Sequence, residues 1–299
     1  MPPVRWPGAV WLWPGRTKGL RKNRFNKLWT RFNNLVCFHP ARWPHAEHIS
    51  RISALVIIVA FLIQRILQFD VFPQSHAGAV RFYSAFHLAS GDPAYSTATI
   101  SLIWLVKLSV WLLETAIYMG YIASYISRAR ARAVARGFME TAFPVLIAGL
   151  PVIMALTPYT LPRWAPYSSP RHMVYYLVIM GLILAGGSIN LIGLLTLRRA
   201  FTIMAEAREL VTGGLFRYVR HPLYSGHFVM FFGSLLLRLH VYTAIVYVTF
   251  CIGQVYRARI EERKLQQVFP EYQAYRSGTG MFFPRLRKDR AKRSITRSN

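Results

Sequence analysis

Six apolar stretches dominate the sequence: residues 53–72, 100–126, 142–159, 173–197, 223–238 and 241–256, with Arg and Lys clustered between and beyond them. A helix of about 20 apolar residues, rising roughly 1.5 Å per residue, crosses the ~30 Å hydrocarbon core of a bilayer. The first four stretches are read as spans. The last two, joined through Leu239-His240, form a hairpin that returns the chain to the side it left. The prediction is an all-α fold, a polytopic transmembrane helix bundle of four spans plus a C-terminal helical hairpin. Composition narrows the alternatives, because 54% of residues are hydrophobic while the formal net charge is +26, against about 45–50% apolar in a soluble domain. A nucleic-acid binder would be as basic but would not carry such runs, so nucleic acid is not expected as a partner. Cys37 and Cys251 are the sole cysteines, one in the N-terminal segment and one in an apolar helix, so neither a disulfide framework nor a Cys-based metal site is expected.

Four segments follow. Residues 1–50 lack the continuous apolar region of a signal peptide. Within them Phe25, Leu28, Trp29, Phe32, Leu35 and Val36 recur at helical spacing among Arg21, Lys22, Arg24, Lys27 and Arg31. This predicts an amphipathic helix lying on anionic lipid headgroups. Residues 51–197 hold the four spans, with outer loops at 73–98 and 157–170. In this region Lys107 and Glu114 share one face of the second span, Pro144 and Pro151 break the third, and Gly186, Gly187 and Gly193 give the fourth a close-packing surface. The Arg128 to Arg136 run reads as a solvated inner loop. Residues 198–284 carry the chemistry described next, and 285–299 form a basic tail. The positive-inside bias puts both termini, the Arg-rich loops and the site on the cytoplasmic side of a multi-pass protein.

The stretch from Glu209 to Pro284 packs Arg217, Arg220, His221, Arg257, Glu261 and Glu262 against two membrane-competent segments. Unpaired charge is costly there, which marks it as a candidate functional site. Pro222 fixes its own φ and disfavours the α region at His221, so a helix is expected to begin near Leu223, its free N–H groups suited to an anionic group. Gly213-Gly214 permits a tight turn leading in. Arg257 and Glu261, four apart, share a helix face. Such a pair on an exposed helix is worth only a few tenths of a kcal/mol, and what distinguishes this one is its position opposite the Arg220-His221-Pro222 run.

Three features are similar to those of the integral-membrane methyltransferases that include isoprenylcysteine carboxyl methyltransferase and the phospholipid N-methyltransferases. They are Leu210-Val211-Thr212-Gly213-Gly214, the run Arg220-His221-Pro222-Leu223-Tyr224-Ser225-Gly226, and Glu261-Glu262 with Leu265, followed by Phe269, Tyr272 and Tyr275. The resemblance implies an enzyme using S-adenosyl-L-methionine and a lipophilic acceptor. It implies cofactor contacts from Glu209, Leu210, Val211 and Phe216 in the lead-in, from His221, Pro222 and Tyr224 at the helix start, and from Glu261 with Glu262 on the last arm. It gives Arg257 the catalytic task of orienting the acceptor's polar end. Two departures stand out: Leu215-Phe216 replaces the more usual Pro-Tyr, removing a hydroxyl, and Phe269-Pro270-Glu271-Tyr272 is one residue shorter than the frequent pattern.

Methyl transfer to a carboxylate needs no general base, whereas an amine acceptor would need a proton acceptor, for which His221 or a carboxylate could serve. The residues do not select between an isoprenylcysteine, another isoprenoid acid and a phospholipid amine. A membrane reductase using a nicotinamide cofactor, like the sterol reductases, shares the Arg-His-Pro-x-Tyr-x-Gly region, while Glu261-Glu262 with Leu265 fits the methyltransferases better. A scaffold that binds anionic lipid through its basic face would have no use for the clustered motif. His227, one turn into the hairpin, reads as a packing residue.

Overall fold

The computed structural model describes residues 97–155 and 170–285, together with isolated helical positions at Ile52, Leu55, Val56, Ile58, Val59, Leu62 and Ile63. The expected N-terminal amphipathic helix, most of the first span, much of both outer loops and the basic tail beyond 285 lie outside the described residues. Among the described residues the chain is helical, with isolated β-bridges and no strand. We label the helices α1 (Thr97–Ile126), α2 (Gly137–Glu140), α3 (Ala142–Ala155), α4 (Pro170–Leu197), α5 (Pro222–Leu237), α6 (Val241–Val268) and α7 (Tyr272–Gly278).

Among the described residues two helices are long and apolar enough to cross a membrane, over Leu105–Ile126 in α1 and Val174–Ala200 at α4; Ala142–Met154 and Pro222–Leu237 are shorter apolar helices. Their outward faces are as apolar as their inward ones. Leu105, Leu112, Met119 and Ile126 recur every seven residues along the exposed side of α1, as Val241, Ile245, Val248 and Ile252 follow one side of α6. In water such stripes would be a liability, and against lipid they are the expected surface. Pro144 sits in the first turn of α3, where a missing N–H is harmless, whereas Pro151 lies inside the helix and withholds a bond from it.

The boundaries differ from expectation in informative ways. α6 does not stop at Tyr256: its 28 residues make it about 42 Å long, so the charged turns from Arg257 onward continue its apolar part in one unbroken rod. α1 opens at Thr97, three residues before the expected start, and α5 opens on Pro222 itself.

Small residues set the closest approach in the bundle, between α4 and α5. A Cβ on Gly186 would stand 2.4 Å from the Met230 backbone nitrogen, and one on Gly226 would stand 2.6 Å from the Gly186 carbonyl oxygen. The two backbones touch. Gly193 receives Leu223 and Gly233 receives Ile183 along the same seam, so the packing surface expected on the fourth span is the one used. At the far end, the Tyr175 hydroxyl donates to the Leu236 carbonyl at 2.7 Å, which fixes the pair as antiparallel.

Of the Arg128 to Arg136 run, expected as a solvated loop, Arg130, Arg132 and Arg136 are exposed as expected, whereas Arg128 is buried. Ala133 pairs with Ala207 in a short antiparallel bridge, and Arg128 is buried over the Tyr125 ring, 3.6 Å from Glu206. Arg208 is buried too and meets Glu206 at 2.6 Å. Lys264 of α6 donates to the Val134 and Ala205 carbonyls, both at 2.8 Å, and to Glu140 of α2. Apolar burial around each cation leaves pairing as the less costly state. These contacts lock the 127–140 and 198–208 segments to the charged end of α6.

Gly186→Ala is expected to lower the melting temperature in detergent, by about 1–3 kcal/mol of stability, because the new methyl forces the α4 and α5 backbones apart. Gly181→Ala, on the same helix with open space around it, serves as the control and should leave the melt unchanged.

Candidate functional site

The lead-in reaches the site through a left-handed turn. Gly214 has φ +56° and opens a short 3-10 turn that buries Phe216. The carbonyl of Phe216 accepts a hydrogen bond from the Tyr275 hydroxyl at 2.6 Å. Beyond it, Val219 forms a parallel bridge with Gly280, and the Arg220 and His221 amides donate to the Gly280 and Met281 carbonyls at 2.8 and 3.0 Å. The tail after α7 thus folds back as an extended lace along the Arg220-His221 segment. Only glycine fits at 280, since a Cβ there would lie 1.8 Å from the Phe283 carbonyl oxygen. His221 is non-helical at φ −128° and ψ 61°, and Pro222 takes the first helical position, as the Pro rule requires.

Against this corner stands the charged end of α6. Glu262 is buried, and its Oε1 lies 2.7 Å from Arg220 Nε and 3.2 Å from His221 Nε2, while Oε2 is 3.4 Å from Arg276 Nε. Burial alone would push this carboxyl up. The hydrogen bonds with His221 and Arg220 outweigh that effect and hold it at about 2.

Glu261 points the other way. Its Oε1 accepts from the Tyr224 hydroxyl at 2.5 Å and from Arg257 Nε at 3.1 Å. Its Oε2 takes no hydrogen bond among the described residues and lies 4.0 Å from His221 Nδ1, with the side chain 19% exposed. Arg257 is buried, with its guanidinium 5.2 Å over the Tyr224 ring and one nitrogen 3.4 Å from the Thr202 carbonyl. The His221 and Tyr224 rings are parallel with centroids 5.3 Å apart, and Phe282 of the lace tilts against His221 at 5.8 Å. One free carboxylate oxygen beside an aromatic wall is suited to a cation. The buried guanidinium is suited to an anion.

Most of the residues singled out in the sequence therefore meet. His221, Pro222, Tyr224, Arg257, Glu261 and Glu262 share one corner, and Phe216 and Val211 pack in the same apolar cluster as Tyr224. Leu210 packs instead beside Phe269 and Tyr272, and Glu209 is exposed. Sequence reasoning gave no role to the Arg220–Glu262 tie or to the 279–282 lace. No periodicity in the sequence says where the extended 279–282 segment will dock.

Residues 164–267 match the isoprenylcysteine carboxyl methyltransferase family. The match covers about a third of the chain and takes in the lead-in, the Arg220-His221-Pro222 run and the α6 arm, so the resemblance drawn from those motifs is borne out over this family segment. No curated protein matches the chain. The 279–282 lace lies beyond the family segment, yet it supplies the carbonyls that orient Arg220 and His221 within it.

The depressed Glu262 carboxyl predicts a pH signature. Its stabilisation is complete above its ordinary value of 4.5 and is lost as pH falls toward about 2. Glu262→Gln should cost about 3 kcal/mol at neutral pH by leaving Arg220 and His221 facing a neutral partner. The gap between the parent and variant melting temperatures should close as the melts are repeated from pH 6 downward.

Proposed function

We propose that this chain is an integral-membrane methyltransferase that uses S-adenosyl-L-methionine and methylates the carboxylate of a lipophilic acceptor of the isoprenylcysteine type. The observation that carries this reading is the split of the two adjacent carboxylates. Glu262 is consumed by protein cations and holds the corner together, whereas Glu261 keeps one oxygen free beside the His221 and Tyr224 rings.

The residues present fit the cofactor. Glu261 Oε2 would hold its ammonium, His221 and Tyr224 would line it, and Val211 and Phe216 would close the lead-in side. S-adenosyl-L-methionine supplies an electrophilic methyl group on a sulfonium. Arg257 can present two N–H groups to a carboxylate, which fixes the orientation of the attacking oxygen. Its burial keeps water from competing for that carboxylate, and a reaction in which opposite charges cancel is favoured where water is scarce. No side chain is needed as a base. The membrane-facing stripes on α1 and α6 would let the acceptor's apolar tail stay in lipid, and the positive-inside bias supports a cytoplasmic site.

Purified protein in detergent, titrated with S-adenosyl-L-methionine and separately with NADPH, tests the assignment: binding of NADPH alone would select a reductase. Glu261→Ala should abolish binding of S-adenosyl-L-methionine. Arg257→Ala should retain that binding within a few-fold while turnover on a prenylated cysteine falls by at least 100-fold, and unchanged turnover would remove Arg257 from its role.

A further inference from the structure

Deeper in the bundle, below Tyr224, three helices each contribute one polar side chain to a single point. The Tyr121 hydroxyl of α1 lies 3.4 Å from Asn190 Oδ1 of α4 and 3.4 Å from His227 Nε2 of α5. Asn190 is fully buried. Two atoms of this cluster have no hydrogen-bond partner among the described residues: Asn190 Nδ2 and His227 Nδ1. Each unpaired buried polar group costs about 1–3 kcal/mol. Polar side chains within an apolar bundle of this kind commonly mark a ligand path.

The hydrogen-bond inventory says what such a ligand must carry. Tyr121 has one proton, so both of its contacts are satisfied together only if it donates to Asn190 Oδ1 and accepts from His227 Nε2–H. That tautomer leaves His227 Nδ1 as a bare acceptor and Asn190 Nδ2 as a donor. The pair is neutral and of mixed sense, matching a group that offers one N–H and one oxygen rather than a second carboxylate. It is also continuous with the proposed site, because His227 stacks on Tyr224 at 6.4 Å and Tyr224 carries the Arg257 guanidinium. Phe231 stacks on His227 at 5.6 Å and Phe250 meets it edge-on at 6.3 Å.

We infer that Asn190 and His227, bridged by Tyr121, form a specificity subsite that takes the amide group adjoining the acceptor's carboxylate, selecting amino-acid-type heads over simple isoprenoid acids. The inference rests on the methyltransferase reading. It makes Asn190 and His227 positioning residues, with no part in the chemical step.

The test compares two acceptors that differ only in the amide: N-acetyl-S-farnesylcysteine and S-farnesylthiopropionic acid. The parent protein should favour the first by at least tenfold in kcat/KM. Asn190→Leu and His227→Phe should each bring the two acceptors within threefold of one another, through KM for the amide-bearing acid. Both variants should bind S-adenosyl-L-methionine as the parent does. A purely structural Asn190 would instead give equal losses on both acids, a result that would overturn the inference. Equal parent rates on the two acids, the result expected if the pair merely holds a trapped water, would overturn the inference and leave the methyltransferase reading standing. A parent that binds no S-adenosyl-L-methionine would overturn both.

Discussion

The structure depends on how it disposes of charge at the end of an apolar bundle. Arg220, Arg257 and Arg276 are set against Glu261 and Glu262 within one corner, three guanidiniums against two carboxylates. Removing an ion from water costs several kcal/mol even after relaxation, so buried Arg257 and Glu262 are tolerable only because a partner stands within hydrogen-bonding range, while Arg276 keeps contact with solvent. The imbalance is itself informative. Glu262 is shared between Arg220 and Arg276, which leaves Arg257 facing a carboxylate that it must also share with the Tyr224 hydroxyl. A guanidinium so placed has donor capacity to spare, and an incoming anion would complete its coordination.

That corner exists only because α5 begins where it does, and its position is set by the glycine contact with α4. The α4 and α5 backbones meet at Gly186 and Gly226, one turn from His221 on the α5 side. The same approach brings Asn190 beside the α5 backbone at Gly226, next in sequence to His227. A single larger residue on this seam would therefore disturb two things together, the corner that carries the charges and the polar cluster beneath it. Packing and chemistry share one determinant here, so the glycines of the fourth span belong to the site although they touch none of its polar atoms.

How much of this was legible beforehand depended on whether the signal was local. Helix type followed from long apolar runs, and the start of α5 followed from Pro222 acting on its own φ and on its neighbour. The Arg257–Glu261 pair followed from a four-residue spacing that any helix enforces. What escaped was non-local. Arg128 reads as one more solvated arginine of its run because its carboxylate partner, Glu206, lies far along the chain, as does the Phe269 ring beneath Arg132. Adjacent Glu261 and Glu262 read alike, yet a helix rotates successive residues by about 100°, which sends one carboxylate toward Arg220 and the other toward Arg257. His227 read as packing because one imidazole in an apolar run carries no pattern, and its polar partners come from α1 and α4.

The basic loops take on a mechanical meaning in this light. Lys264 spends its donors on Val134, Ala205 and Glu140, so the charged end of α6 is tied to the 127–140 and 198–208 segments, while the lace at 279–282 ties the other side of the corner to the start of α5. Burial pushes the Lys264 ammonium down and Glu140 opposes that shift, so the tie depends on its carboxylate remaining close. Both walls that carry Glu261 and His221 are therefore fixed by polar contacts that do not involve Glu261 itself. A site held this way needs little reorganisation when a small cation settles against the free oxygen of Glu261, because the geometry that receives it is maintained by residues that never touch it.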